Sequence, residues 1–326
     1  MVTNSQITRA EVARKAGVSK TTVSYVLNDT LGARVSESTR ARVRRAARAL
    51  GYEPDFAATC MKRGRTEIVG LLVPRQTKQR TPFYSHMISG ILEASADSDY
   101  HFLHLSQERW DKVKRCLARN YVDGLVVIQS HTDHQILRRL QSFDRPVVTL
   151  NQLHDLSFPQ VTMDYEEVMR KAVNHLVQRA SRHLLFVHGT WDNQPVQRLL
   201  DTYKRLAGGQ DAAFSTMGLE HYTLSTDAMH ALATGPWDAI IIDGYELARS
   251  YCQYREVAFD KSVRPLVVFS ETPRAAPLGE KVLIYQSQPV ASGRRCWELM
   301  RALLNGDPCE DTAVRVPYRR LEQLSC

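Results

Sequence analysis

The chain has 326 residues and lacks any long hydrophobic run. No stretch approaches the roughly 18 apolar residues of a membrane-spanning helix, so an α-helical membrane protein is excluded and no membrane partner is expected. The opening stretch MVTNSQITRAEVARK lacks the apolar core of a signal peptide, which predicts a cytoplasmic location. Proline (13) and glycine (16) are too few for a fibrous or disordered chain. The six cysteines (Cys60, Cys116, Cys252, Cys296, Cys309 and Cys326) are scattered without a C-x-x-C pair, so they read as reduced thiols rather than a disulfide framework. There is no Walker loop, no G-x-G-x-x-G and no G-x-S-x-G elbow. With no nucleophile–base constellation either, the expectation is a protein that is not an enzyme and uses no cofactor. His131 and His134 flank Asp133 at a spacing a metal tolerates, but they read more simply as a solvated loop leading into a helix.

What charge there is lies unevenly. The net charge is +8. Residues 1–66 hold 13 Lys and Arg against 5 Asp and Glu, whereas residues 67–326 hold 30 of each. The whole excess falls in the first fifth of the chain, and the rest averages to neutral. A small basic module joined to a large neutral body suggests a nucleic-acid reader attached to something else. Length alone predicts about two ordinary domains.

Residues 7–28 read ITRAEVARKAGVSKTTVSYVLN. Thr8 and Glu11 have capping-box spacing, so a helix should start at Thr8, with Val12, Ala13 and Ala16 inward. Gly17 ends it, and Ser19 can cap a second helix from Lys20 to about Leu27. Val23, Val26 and Leu27 share one side of that helix. Lys20, Thr21, Ser24, Tyr25 and Asn28 share the other. A third helix should run from about Glu37 to Leu50 and end at Gly51, closing a core with Val43, Ala46, Ala47 and Leu50. Arg40, Arg42, Arg44, Arg45 and Arg48 supply positive field toward phosphate. A helix–turn–helix of this form lets the second helix enter a DNA major groove.

ARKAGVSKTTVSYVLN, RVSESTRARV and LGYEPDFAA together resemble the lactose-repressor/galactose-repressor family of bacterial transcription regulators. Within it, S-K-T-T-V-S-Y-V-L-N, the R-G-R-T before the first core strand and the late Tyr318-Arg319-Arg320 resemble the fructose- and sucrose-repressor branch. The resemblance places Lys20, Thr21 and Tyr25 at base-reading positions, which suits their chemistry. Lys donates to guanine, Thr bonds or touches a thymine methyl, and Tyr offers a hydroxyl and a ring. Ser19, Ser24, Asn28, Ser36 and Thr39 fall at positions that hold the DNA backbone, and Thr8 suits the same role or a cap alone. Thr22 is expected among the DNA-binding residues.

The expected divisions are a headpiece (1–53), a hinge (54–66) and a core (67–326). Pro54 and Asp55 can start a short hinge helix through about Lys62, too short to be stable alone in water. The resemblance implies that two such helices pair in the minor groove and wedge Met61 between base pairs, with Lys62, Arg63 and Arg65 alongside.

The body alternates strand and helix. Ile68–Val73, Tyr100–Leu105, Gly124–Ile128 and Pro146–Leu150 form one series of buried runs. Leu184–Val187, Ala239–Ile242, Leu266–Phe269 and Val282–Tyr285 form a second. The fold class expected is therefore a small all-α headpiece on an α/β core of two doubly wound parallel-sheet lobes, resembling periplasmic sugar-binding proteins. Lobe 1 is expected over about 67–160 plus 289–316, and lobe 2 over about 161–288 plus the C-terminal residues. Ligands in such folds bind at strand C-termini facing a cleft.

Family resemblance puts Phe83, Tyr84, Asp164, Arg198, Asp243 and Glu271 at or near that cleft. The pattern departs from relatives there. Leu199 stands where they carry arginine, Arg198 is one residue early, and Asp243-Gly244 and Ser270-Glu271 replace their polar pairs. A one-residue shift turns a side chain by roughly 100° around a helix. For a sugar phosphate, Arg198, Arg274 and Arg319 are candidate anchors.

The expected function is a DNA-binding regulator, a repressor of carbohydrate genes, working as a homodimer or tetramer on a pseudo-palindromic operator. A sugar or sugar phosphate in the cleft would alter hinge pairing and so DNA affinity. The alternatives are the same regulator with a cleft answering to a non-sugar ligand or none, and a cytoplasmic sugar-binding protein without gene control.

Overall fold

The computed structural model describes residues 7–27, 34–74, 82–128, 135–190, 194–208, 212–220, 224–258, 264–271, 278–279, 281–309 and 312–321. Asn28, His131, Asp133, His134, Trp191 and Arg274 lie outside these. The chain divides into two compact units, Met1–Thr66 and Glu67–Cys326.

The first unit holds α1 (Arg9–Ala16), α2 (Lys20–Leu27), α3 (Glu37–Leu50) and α4 (Phe56–Arg63). Helix α1 starts on the anticipated capping box: the Glu11 amide donates to Thr8 Oγ1 at 3.4 Å and the Thr8 amide to the Glu11 carboxylate at 2.7 Å. The bonds from Thr8 hold the Glu11 carboxyl below its ordinary pKa. Gly17, at φ +63°, ends the helix in a left-handed conformation that costs glycine little. Val12, Ala13, Ala16, Val23, Val26, Val43, Ala46 and Ala47 then close one small core. Leu27 and Leu50 pack against it half-buried.

The second unit contains two six-stranded sheets. In chain order its elements are β1 (Ile68–Val73), α5 (Pro82–Ala94), β2 (His101–Ser106), α6 (Trp110–Ala118), β3 (Gly124–Ile128), α7 (Gln135–Leu140), β4 (Val147–Leu150) and β5 (Gln160–Met163). After the crossing come α8 (Tyr165–Val177), β6 (His183–Gly189), α9 (Gln194–Ala207), β7 (Ala213–Leu219), α10 (Thr226–Thr234), β8 (Ala239–Asp243), α11 (Tyr245–Ala258), β9 (Leu266–Ser270) and β10 (Val282–Gln286). The chain finishes with α12 (Pro289–Asn305), β11 (Ala313–Val316) and β12 (Arg319–Leu321).

The first sheet has the order β11-β5-β4-β3-β1-β2 and the second β12-β10-β9-β8-β6-β7. Every pairing is parallel except β10 with β12. The central strands β3, β4 and β9 are buried along their whole length, as continuous apolar runs require when helices cover both faces.

Four strands escape the apolar-run reading. β5, β11 and β12 are three or four residues long, and β7 is an edge strand with half-exposed residues. Because β5 joins the first sheet, that sheet continues to Met163, past the expected crossing near 160. The last segment serves both lobes: α12 and β11 lie with the first sheet, and β12 pairs in the second.

Helices α5 and α12 meet through two glycines. A Cβ on Gly90 would stand 2.1 Å from the Val290 carbonyl oxygen, and one on Gly293 2.0 Å from that of Met87. Both neighbours are backbone, so neither can step aside as a side chain would.

Candidate nucleic-acid interface and ligand cleft

Helix α2 separates its faces as its sequence dictates. Val23 and Val26 are buried in the three-helix core, while Lys20, Thr21 and Tyr25 are exposed, Tyr25 at 40%. The three side chains proposed to read bases therefore share one open face at the start of the helix. Ser24 is half-buried beside them. Ser19 caps the helix, its Oγ accepting from the Thr22 amide at 3.0 Å, and the two hydroxyls share a bond of 2.9 Å. Ser36 caps α3 in the same way: its Oγ accepts from the Thr39 amide at 3.3 Å and its hydroxyl donates to Thr39 Oγ1 at 2.9 Å. Thr8, Ser19 and Ser36 thus stand at three helix N-termini, where unpaired backbone N–H groups and the helix dipole favour phosphate. Arg42, Arg44, Arg45 and Arg48 are exposed on α3.

Helix α4 is formed within the single chain, one residue longer than anticipated. Asp55 accepts from the Ala58 amide at 2.7 Å, and Gly64, at φ +69°, donates to the Cys60 carbonyl at 2.8 Å. These caps satisfy end groups that otherwise weaken so short a helix. Yet none of its described side chains is buried. Phe56 is 58% and Met61 87% exposed, so the helix presents apolar surface that no described residue of its own unit covers.

In the second unit, the C-terminal ends of β4, β8 and β9 converge. Asn151 follows β4 with φ +55° and is buried, and its Oδ1 accepts from the Tyr165 hydroxyl. Tyr165 opens α8, with its ring 6.2 Å from that of Tyr318, which lies 6.1 Å from Phe269 at the end of β9. Tyr84, buried near the start of α5, meets Phe83 edge-on at 5.9 Å. Burial raises the hydroxyls of Tyr84, Tyr165 and Tyr318 above the ordinary tyrosine range. The Glu271 carboxylate adds to this at all three, and that of Asp243 at Tyr165 and Tyr318. Crowding at the mouth also raises the Glu271 carboxyl, although part of that residue stays open to water.

The structure thus gathers Tyr84, Asp243 and Glu271 of the anticipated set, with Phe83 beside them. Asp164 caps α8, its Oδ1 accepting from the Glu167 amide at 3.1 Å. Arg198 does not join the cluster's titrating groups. It pairs with Glu166 at 3.0 Å and lines a polar groove of about 480 Å³ with His154, Gln160, Gln194 and Arg315. Its neighbour Leu199 is buried in the core. Arg319 is exposed on β12. Sequence reasoning missed Asn151, Tyr165 and Tyr318 as cleft residues. The signal was present for Asn151, a polar residue directly after a buried strand.

Two family profiles match the chain: "Bacterial regulatory proteins, lacI family" over residues 8–55, and "Periplasmic binding proteins and sugar binding domain of LacI family" over residues 66–233. The chain belongs to the LacI family. Among characterised relatives, the HTH-type transcriptional regulator RegA of Clostridium saccharobutylicum is 32% identical over 188 residues, 56% of this chain and 55% of RegA. The regulator MalR of Streptococcus pneumoniae (TIGR4) is 24% identical over 227 residues, 68% of this chain and 65% of MalR. The LacI-family chain thus matches between half and two thirds of the length of these relatives. Its fold is that of the lac repressor dimer bound to operator and the anti-inducer ONPF, with a TM-score of 0.80 at 17% identity, covering 97% of this chain and 98% of that one.

Proposed function

We propose that the protein is a sequence-specific DNA-binding transcriptional regulator, a repressor of carbohydrate genes, whose DNA affinity is set by a small ligand in the interlobe cleft. The observation that carries this is the open face of α2, where Lys20, Thr21 and Tyr25 project from a helix whose other face is locked into the three-helix core. Three base-reading side chains on eight helical residues are too few for a specific site, so two headpieces on a pseudo-palindromic operator are needed, and the working form is a homodimer or a tetramer. Lys20, Thr21 and Tyr25 read bases. Thr8, Ser19, Thr22, Ser24, Asn28, Ser36 and Thr39 hold the backbone, and Met61 enters the minor groove. The proposed location is the cytoplasm, on the nucleoid. Among the described residues no helix is long and apolar enough to cross a membrane.

Phe83, Tyr84, Asp243 and Glu271, with Tyr165, Tyr318 and Asn151, form the ligand site, and Asp164 and Arg198 border it. Carboxylates accept sugar hydroxyls and aromatic faces cover sugar C–H groups. The carboxylates of Asp243 and Glu271, which act on the tyrosine hydroxyls, favour a neutral sugar over a sugar phosphate, because they repel a phosphate. Ligand binding changes DNA affinity only through its differential affinity for the two lobe arrangements. The finer placement near the fructose- and sucrose-repressor branch rests on the Lys20–Asn28 motif and on Tyr318, Arg319 and Arg320.

Selection from random genomic fragments, followed by sequencing, tests the reading. Enrichment of one pseudo-palindrome is expected. Recovery of fragments without a shared motif would overturn sequence-specific regulation and leave a sugar-binding protein of the same fold.

A further inference from the structure

The neutral average of the core hides a cationic pocket at the far strand ends of the second sheet. The cleft cluster uses the C-terminal ends of β8 and β9. The opposite, N-terminal ends of β9 and β10 border a cavity of about 690 Å³. Leu176, Pro265, Leu266, Val282, Leu283 and Leu321 are among the residues along it. His175 at the end of α8, Arg179 just after it, Lys281 just before β10 and Arg320 on β12 also line it. Among the described residues that line it, none is acidic. Strand β9 alone, at roughly 3.3 Å per residue, separates this cavity from the Glu271 end.

The basic lining groups converge rather than merely coexist. An Arg179 guanidinium nitrogen lies 3.1 Å from His175 Nδ1. Burial lowers the pKa of His175, and the charges of Arg179 and Arg320 lower it further, so both arginines act on one ring. Among the described residues, Arg179, Lys281 and Arg320 form no ion pair with a carboxylate. Three cations held around one pocket repel each other, and a bound anion relieves that repulsion.

We propose that this pocket is a second ligand site, taking a small organic phosphate. A dianionic phosphate matches the charges of Arg179, Lys281 and Arg320, and guanidinium forks suit phosphate oxygens. A volume within the roughly 300–1,000 Å³ range of small-molecule sites leaves room for an organic body that an inorganic ion would not fill. The site is independent of the sugar cleft: it uses the other ends of the same strands, and its charge is of the opposite sign.

Calorimetric titration of the full chain tests this, with inorganic phosphate and glucose 6-phosphate as probes, glucose as the neutral control, and sodium chloride at matched ionic strength. Both phosphates are expected to bind, glucose 6-phosphate at least tenfold tighter, with Arg320→Ala and Lys281→Ala each weakening it at least tenfold. The His175 ring resonances should titrate at higher pH when the phosphate is bound, because the anion offsets the neighbouring cations. No binding of either phosphate would overturn the proposal. So would binding that Arg320→Ala and Lys281→Ala leave unchanged, since the phosphate would then sit elsewhere. Equal affinity for the two phosphates would reduce the pocket to an adventitious ion site and overturn the assignment of an organic ligand.

Discussion

Replacing Met61 with alanine tests whether α4 acts as an apolar wedge. The side chain is 87% exposed on a helix that buries none of its described side chains, so nearly all of its apolar surface remains available for burial. Full burial of such a side chain is worth about 1.5–3 kcal/mol, and truncation to alanine forfeits about 2 kcal/mol of it. Two wedges in a dimer would forfeit about 4 kcal/mol. Unstacking a base step costs a few kcal/mol and is avoided when no wedge enters, so part of the loss is returned. Met61→Ala should therefore weaken operator binding by roughly tenfold to a thousandfold, at about 1.4 kcal/mol per tenfold. Met61→Leu should stay within a few-fold of the wild type. Neither changes a charge, so the slope of log affinity against log salt should be the same for all three proteins. Fluorescence anisotropy with labelled operator at several salt concentrations reads both quantities. An alanine variant within twofold of wild type at every salt concentration would refute the wedge, and a changed slope would mean that Met61 acts through phosphate contacts instead.

Tyr25→Ala should flatten base preference in a selection assay, whereas Arg45→Ala should weaken all sequences alike; equal loss of specificity in both would mean that α2 is not the reading helix. Gly90→Ala should destabilise the core by roughly 1–3 kcal/mol or more, because the new methyl meets the Val290 carbonyl oxygen at 2.1 Å, and calorimetry should show a fall in Tm of several degrees. Glu11→Gln keeps a side chain able to accept from the Thr8 amide but removes the charge. Since the folded-state pKa of Glu11 is lowered, its carboxylate stabilises the fold above its ordinary pKa of 4.5, and this is lost as pH falls through the folded value. The variant should therefore be less stable than wild type near pH 7 and converge with it in acid; a difference independent of pH would assign the effect to the hydrogen bond alone. Tyr165→Phe should weaken binding of a neutral sugar, read by thermal shift, through the lost bond to Asn151; unchanged sugar stabilisation would remove that pair from the site.

The first sixty residues were legible because their signals are local. Thr8 and Glu11 specify a helix start three residues apart, Gly17 and Gly51 specify left-handed exits, and the valines of α2 mark its buried side without reference to the rest of the chain. The long central strands were equally plain, since a strand covered on both faces must be continuously apolar. Edge strands were not: β7 and β12 are defined by a partner's register, and few of their residues need be apolar. Arg198 shows how one helical residue matters in the cleft: it pairs with Glu166 and lines a small pocket with Asp164 and Tyr165, while its neighbour Leu199 packs into the core.

By itself, then, the sequence determined a basic helix–turn–helix with a short hinge on a two-lobed α/β body, because caps, periodicity and charge act within a few residues. Only the tertiary structure decided that Asn151, Tyr165 and Tyr318 join Tyr84, Asp243 and Glu271, and that His175, Arg179, Lys281 and Arg320 line one cavity. Residues far apart in the sequence meet there because parallel strands align their ends whatever the length of chain between them, and no local pattern records which ends will be neighbours.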